Sequence, residues 1–114
     1  MATTRGESFA AKGTQIANTP TAYVTTASTE RAIIDKMILF NTNTTTEVVK
    51  GYTETSGGSA GATDKAFEVS IAGGEGLDVQ EAVNIRLNTS QRFFLETTTA
   101  TKVNLHLSGR RIVG

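Results

Sequence analysis

The stretch Arg31–Thr44, RAIIDKMILFNTNT, constrains this chain more than any other. Ile33, Ile34, Met37, Ile38, Leu39 and Phe40 follow in near succession, with only Asp35 and Lys36 between them. Strict alternation marks a strand with one wet face. A near-continuous run of β-branched and aromatic residues marks a strand buried on both faces, or a buried helix. The run is short and stops at Asn41-Thr42-Asn43-Thr44-Thr45, a cluster that favours turns over helix continuation. It therefore reads as the central strand of a β-sandwich, covered on both faces, the second cover being another subunit.

Composition extends that reading to the rest of the chain. Threonine, the commonest residue, is β-branched, suits the solvent face of a strand and is poor in helix interiors. With 11 glycines and 1 proline, the 114 residues read as one all-β domain with many tight turns and a single modest core. Lys+Arg and Asp+Glu number 11 each, and the signs are interspersed. A nucleic-acid binder carries a basic excess gathered in a stripe, so no nucleic-acid partner is expected. Zero net charge removes colloidal repulsion, which suits a chain whose working state is an assembly. The absence of cysteine excludes disulfides, thiolate chemistry and Cys-type metal sites. Met1–Ala10 has no apolar signal core and no run reaches membrane-spanning length; synthesis in a cytoplasm and no membrane partner are expected.

Met1–Gly13 is polar and small apart from Phe9. It reads as a flexible terminus or as an arm anchored by Phe9 on a neighbouring subunit, ahead of a sandwich over residues 14–114. Thr14–Asn18 and Thr21–Thr26 are expected as short strands divided by Pro20. Thr46–Thr53, with Val48, Val49 and Tyr52, is the expected hairpin partner of the central strand. Glu54–Asp64, ETSGGSAGATD, reads as a surface loop, and no Gly-Lys-Ser/Thr element follows to make it a phosphate cradle. Lys65–Ala72 alternates cleanly, with Phe67, Val69 and Ile71 on one face and Ala66, Glu68 and Ser70 on the other. Gly73-Gly74-Glu75-Gly76 is a turn needing positive φ, followed by a short strand at Leu77 and Val79. Ala82–Asn88 is expected as a strand with Val83, Ile85 and Leu87 inward, and Arg92–Thr98 as another around Phe93, Phe94 and Leu95. In Lys102–Gly114, Val103, Leu105 and Leu107 share a face, and a bulge at Gly109 is expected to bring Ile112 back into phase. Eight or nine short strands at spacings of about ten residues are the pattern of a sandwich or barrel.

Candidates for catalysis are scarce, and no enzyme, metal or cofactor is expected. His106, the single histidine, lies on the polar face of a strand and reads as a surface residue that alone makes no zinc site. Asp35 inside the apolar run has to be paired or solvated. Lys36 points to the opposite face, so Arg31 or Arg86 is the expected partner. Asn43-Thr44-Thr45 and Asn88-Thr89-Ser90 match the glycosylation sequon, as a Thr-rich chain does by chance. Arg110-Arg111 reads as a phosphate site, as a partner for a neighbour's carboxylate, or as a solvated edge that blocks sheet-to-sheet pairing.

The succession TAYVTTASTERAIIDKMILFNTNTTTEVV, a Gly/Ser-rich loop, a strand, IAGGEGLDV and a closing TKVNLHLSGRRIV resembles small β-sandwich virion proteins of tailed bacteriophages. The parts that carry the likeness are Ile33–Thr44, Gly57–Gly61, Gly74–Val79 and Val103–Gly109, within a span from Thr21 to Val113. The resemblance implies a jelly-roll-like sandwich that is a structural part of the particle: a capsid decoration (cement) protein, or a piece of the neck, tail or fibre base. It implies no cofactor and no catalytic residue. The expected partners are further copies of the chain, as a trimer, and the major capsid protein or other virion proteins. Phe9, Ile16, Met37, Leu39, Arg110 and Arg111 are the candidate interface residues. A carbohydrate-binding sandwich is the rival from another class; it stacks sugars on exposed aromatics, and this chain has no Trp and 2 Tyr, Tyr23 and Tyr52.

Overall fold

The computed structural model describes residues 5–55, 61 and 64–113. Its strands are β1 (Arg5–Gln15), β2 (Thr21–Thr25), β3 (Glu30–Asn41), β4 (Glu47–Thr55), β5 (Lys65–Ile71), β6 (Gly76–Asp78), β7 (Arg86–Leu87), β8 (Gln91–Thr97) and β9 (Val103–Val113). A 3-10 turn at Gln80–Ala82 separates β6 from β7.

The strand pairing is that of one folded ribbon. β1 pairs with β9, β2 with β8, β3 with β6 and β4 with β5, all antiparallel, so the two halves of the chain run beside each other with β4–β5 at the tip. Wrapping the ribbon brings β3 against β9 and β4 against β8. The result is two stacked sheets, β1-β9-β3-β6 with β7 beside β3, and β2-β8-β4-β5. This is a jelly roll.

Alternate residues of both sheets fill the space between them. Ile34, Met37 and Leu39 from β3, Leu105 and Leu107 from β9, Val49 from β4, and Phe93 and Leu95 from β8 are all buried. The alternation read in β5 holds, with Phe67, Val69 and Ile71 inward and Ala66, Glu68 and Ser70 exposed. In β9 Val103, Leu105 and Leu107 face the core as expected. Gly51 lets β4 pass beneath a ring, because a Cβ there would lie 2.2 Å from Phe67 Cε1. Gly51→Ala is therefore expected to cost about 1–3 kcal/mol. The check is a lowered urea midpoint with an unchanged m value.

β3 turns one face to this chain's own core and leaves the other outside. Its register with β9 slips between Ile34 and Lys36, so Asp35 and Lys36 both stay outside while Ile34 and Met37 both point in. The apolar run is thus two interleaved rows, and the outer row carries Ile38 and Phe40 at the surface. The bulge lies in β3 opposite Gly109, not in β9, so β9 keeps its parity and Ile112 remains outside, 42% exposed. Thr46–Thr53 is not a hairpin partner of β3: β9 and the pair β6/β7 already occupy both edges of β3, and β4 crosses to the other sheet. Ala82–Asn88 is mostly turn, with Asn84 at φ 69° and only Arg86–Leu87 in a strand. There Asn84 N–H donates to the Ile34 carbonyl and Ile34 N–H to the Ile85 carbonyl, tying the turn to the bulged part of β3.

The expected Thr14–Asn18 strand is the end of the longer β1, whose backbone follows β9 from Arg5 with a register shift between Lys12 and Thr14. The Phe9 side chain proposed as an arm anchor, and most of the loop expected over Glu54–Asp64, lie outside the described part of the molecule.

Candidate assembly surface

The outer face of the β1-β9-β3-β6 sheet carries every large apolar side chain that is exposed among the described residues: Ile38 at 37%, Phe40 at 42% and Ile112 at 42%. Register places them at two ends. Ile38 stands opposite Asp78 of β6 and His106 of β9, and Phe40 opposite Gly76, with its ring 3.3 Å from where a Gly76 Cβ would be. At the other end Arg31 stands opposite Ile112, and Ile33 lies between Arg86 of β7 and Arg110 of β9. A groove of about 780 Å³ opens there, lined by Arg31, Ile33, Arg86, Asn88, Arg110 and Ile112 and floored by buried Leu87.

Between the two ends the face is held by ion pairs. Arg110 takes Asp35 with Nε and Nη2, at 3.1 Å from Nη2 to Oδ1. Lys36 Nζ lies 4.0 Å from Asp78. The partner of Asp35 is thus Arg110, not Arg31 or Arg86, because the bulge turns Asp35 toward β9. These exposed pairs fix orientation more than they add stability. His106 is exposed, as its place on the polar face of β9 indicated.

The outside of the opposite sheet exposes no large apolar side chain among the described residues. Tyr52 and Phe94 face outward as a cross-strand pair, yet each is only 5% exposed. The Tyr52 hydroxyl donates to Glu96, and the Arg92 guanidinium lies 4.8 Å over the Phe94 ring. Burial, then the hydrogen bond to Glu96 and the charges of Glu96 and Glu68, push the Tyr52 phenol up to about 12. Tyr23 is half-buried, and its hydroxyl accepts the Ala17 N–H at 2.9 Å. Neither tyrosine offers the open ring that a sugar platform needs.

At the end of the sandwich where β3 leads into β4, a polar corner replaces apolar packing. Asn41, fully buried, donates from Nδ2 to the carbonyls of Thr45 and Ile71, and its Oδ1 accepts the Asn43 N–H. Glu47, 1% exposed, accepts from Thr97 Oγ1 at 2.9 Å, Thr99 N–H at 2.8 Å and Asn43 Nδ2 at 3.2 Å. Burial raises its pKa, but the hydrogen bonds from Thr99, Thr97 and Asn43 outweigh it and leave the carboxyl below its ordinary value.

Of the candidate interface residues, Ile16, Met37 and Leu39 have 0% exposure and belong to the chain's own core, so they have no surface to offer a partner. Crossing the Asp35 bulge shifts the parity, and the outward positions fall on Ile38 and Phe40 instead. Arg110 lies on the outer face. Arg111 points the other way, donating to the Thr25 carbonyl at 2.6 Å and lying 3.4 Å from Glu30. Since β9 is flanked by β1 and β3, these arginines are on an interior strand, not an edge. Arg31, Arg86 and Ile112 went unread as a group because they lie on three strands. Among the described residues no three His, Cys, Asp or Glu side chains converge as a metal site.

No protein-family model matches this chain, and no curated protein matches it. Solved structures do. A chain of the Bacillus endospore appendages, described as a family of disulfide-linked pili, superposes with a TM-score of 0.55 at 14% identity, covering 97% of this chain and 88% of that one. A chain of the infectious bursal disease virus T13 particle gives 0.47 at 12% identity, this chain spanning 31% of its length. Turnip yellow mosaic virus gives 0.44 at 10% identity, over 97% and 93% of the two chains. The pilus chain has the same jelly-roll-like sandwich.

Proposed function

We propose that the chain is a structural subunit of a virion, a capsid decoration protein of a tailed phage, which works by assembling on the head and not by catalysis. The observation that carries this reading is that Ile38, Phe40 and Ile112 all lie on one sheet face, while the opposite sheet exposes no large apolar side chain among the described residues. The phage-like order of parts in the sequence and the sandwich shared with a pilus chain support it. The pili are described as disulfide-linked; this chain has no cysteine, so disulfides cannot join its copies. Many modest contacts repeated over a shell then add up to durable attachment. The resemblance puts the oligomer at three chains.

Imaging of the particle tests the placement: density in many copies over the head is expected, and density confined to the neck or tail, or none, overturns it. On the isolated protein, Phe40→Asp is expected to change folding stability by no more than about 0.5 kcal/mol, as at an ordinary surface position. The same change should abolish self-association in sedimentation and attachment to shells stripped of the protein.

A further inference from the structure

We propose that the groove at Ile33 and Ile112 is the docking site for an extended acidic segment of a protein partner, whose carboxylates pair with Arg31 and Arg86. The inference names the chemistry of the partner in the assembly reading above and rests on that reading for the partner being a protein. Strand pairing builds the site. Ile33 on β3 stands between Arg86 of β7 and Arg110 of β9, and Arg31, two residues back along β3, stands opposite Ile112. At strand spacing, all three arginine stems start within roughly 7 Å of Ile33. Arg110 is already committed to Asp35. Arg31 and Arg86 are exposed, and among the described residues their side chains make no ion pair or hydrogen bond. No aspartate or glutamate lines the groove. Three arginines less the one held by Asp35 leave two uncompensated positive charges there, in a chain of zero net charge.

What such a site takes follows from its two halves. Guanidinium groups whose forks are unoccupied call for carboxylates, which they grip with two parallel hydrogen bonds. Ile33, half-buried, and Ile112, 42% exposed, call for an apolar side chain beside them. Residues two apart in an extended chain point the same way. One segment therefore meets both halves when a carboxylate stands two positions from an apolar residue. The β7 side of the groove is a sheet edge, since among the described strands β7 has β3 alone beside it. A polypeptide can enter and leave across that open edge. A nucleic acid would find two phosphate contacts and no basic stripe to continue them.

A library of random peptides panned on the full-length chain tests this. Enrichment is expected for sequences with Asp or Glu two positions from a large apolar residue. The best-enriched peptide, titrated by calorimetry, is expected to bind about tenfold more weakly when Arg31→Gln and Arg86→Gln are combined, the loss of two charge-assisted contacts at an exposed site. Lys102→Gln removes an exposed charge outside the groove and is expected to leave binding unchanged. Both arginines are exposed, so the urea midpoint should hold; if the double variant unfolds, Arg86→Gln alone replaces it, with a loss of about threefold expected. No enrichment, enrichment of basic or uncharged sequences, or an equal loss on Lys102→Gln overturns the site. Inorganic phosphate or octanoate that displaces the peptide at equal concentration shows a small-anion site and overturns the peptide as its occupant. A double variant that attaches to stripped shells at full strength overturns the groove as the partner's contact and leaves the assembly reading standing. An unmodified chain that selects acidic peptides but attaches to no shell overturns the assembly reading and supports the groove.

Discussion

Phe93→Ala is expected to remove about 3–5 kcal/mol of folding stability, the range for deleting a buried ring. Phe93 is fully buried on β8, which sits between β2 and β4 in the middle of its sheet. Its ring centroid lies 6.2 Å from that of Phe67 at a tilt of 33°, and the Phe67 ring in turn occupies the space over Gly51. Three strands therefore meet at one aromatic contact, and none can move in to fill the hole without breaking its backbone ladder. Domains of this size are stable by about 5–15 kcal/mol, so the loss is about a fifth of the total or more. Phe93→Leu keeps most of the volume and is expected to cost less, about 1.5 kcal/mol or under. Equilibrium denaturation at constant m value gives both numbers. A loss below about 1 kcal/mol for Phe93→Ala would mean that this ring does not fill the core.

Phe93 also shows what could be read from the chain before its shape was known. Where a strand alternates without interruption, as in β5 and along Val103–Leu107, side-chain parity gives the buried face directly. At Phe93-Phe94-Leu95 three apolar residues follow one another and parity is silent; pairing decides, placing Thr53 and Gly51 opposite Phe93 and Leu95, and Tyr52 opposite Phe94. In β3 the same ambiguity hid a bulge. Asp35 and Lys36, two adjacent charges inside an apolar strand, were the visible sign that one residue fell out of register, and a recount across them puts Ile38 and Phe40 outside. The groove was less legible, since Arg31, Arg86 and Ile112 become neighbours only through the pairing of β3 with β7 and β9. Sandwich class follows from composition and turn spacing. Jelly-roll order depends on contacts between residues as distant as Arg5 and Val113, which no local pattern encodes.

Glu47 is the second position where a large effect is expected, and its origin is electrostatic. The corner from β3 to β4 takes the chain from one sheet to the other beside the turn that follows β8, and the donors gathered there need an acceptor inside the sandwich. Glu47 supplies it for Thr99 N–H, the Thr97 hydroxyl and the Asn43 amide. Glu47→Ala strands three buried or half-buried donors at once and is expected to cost about 3 kcal/mol or more. Glu47→Gln keeps the shape but turns an N–H₂ toward groups that are themselves donors, for a cost of about 1–3 kcal/mol. The pH dependence separates this from a packing defect. Because the folded carboxyl lies below its ordinary value of 4.5, its stabilising contribution is present above that pH and is lost as pH falls through the folded value. The unmodified chain should therefore weaken below about pH 4.5, while Glu47→Gln shows a shallower decline. The gap between the two, measured by urea unfolding, should narrow toward acid. A gap that stays constant from neutral pH to pH 3 would mean that Glu47 is held there by shape and not by its charge.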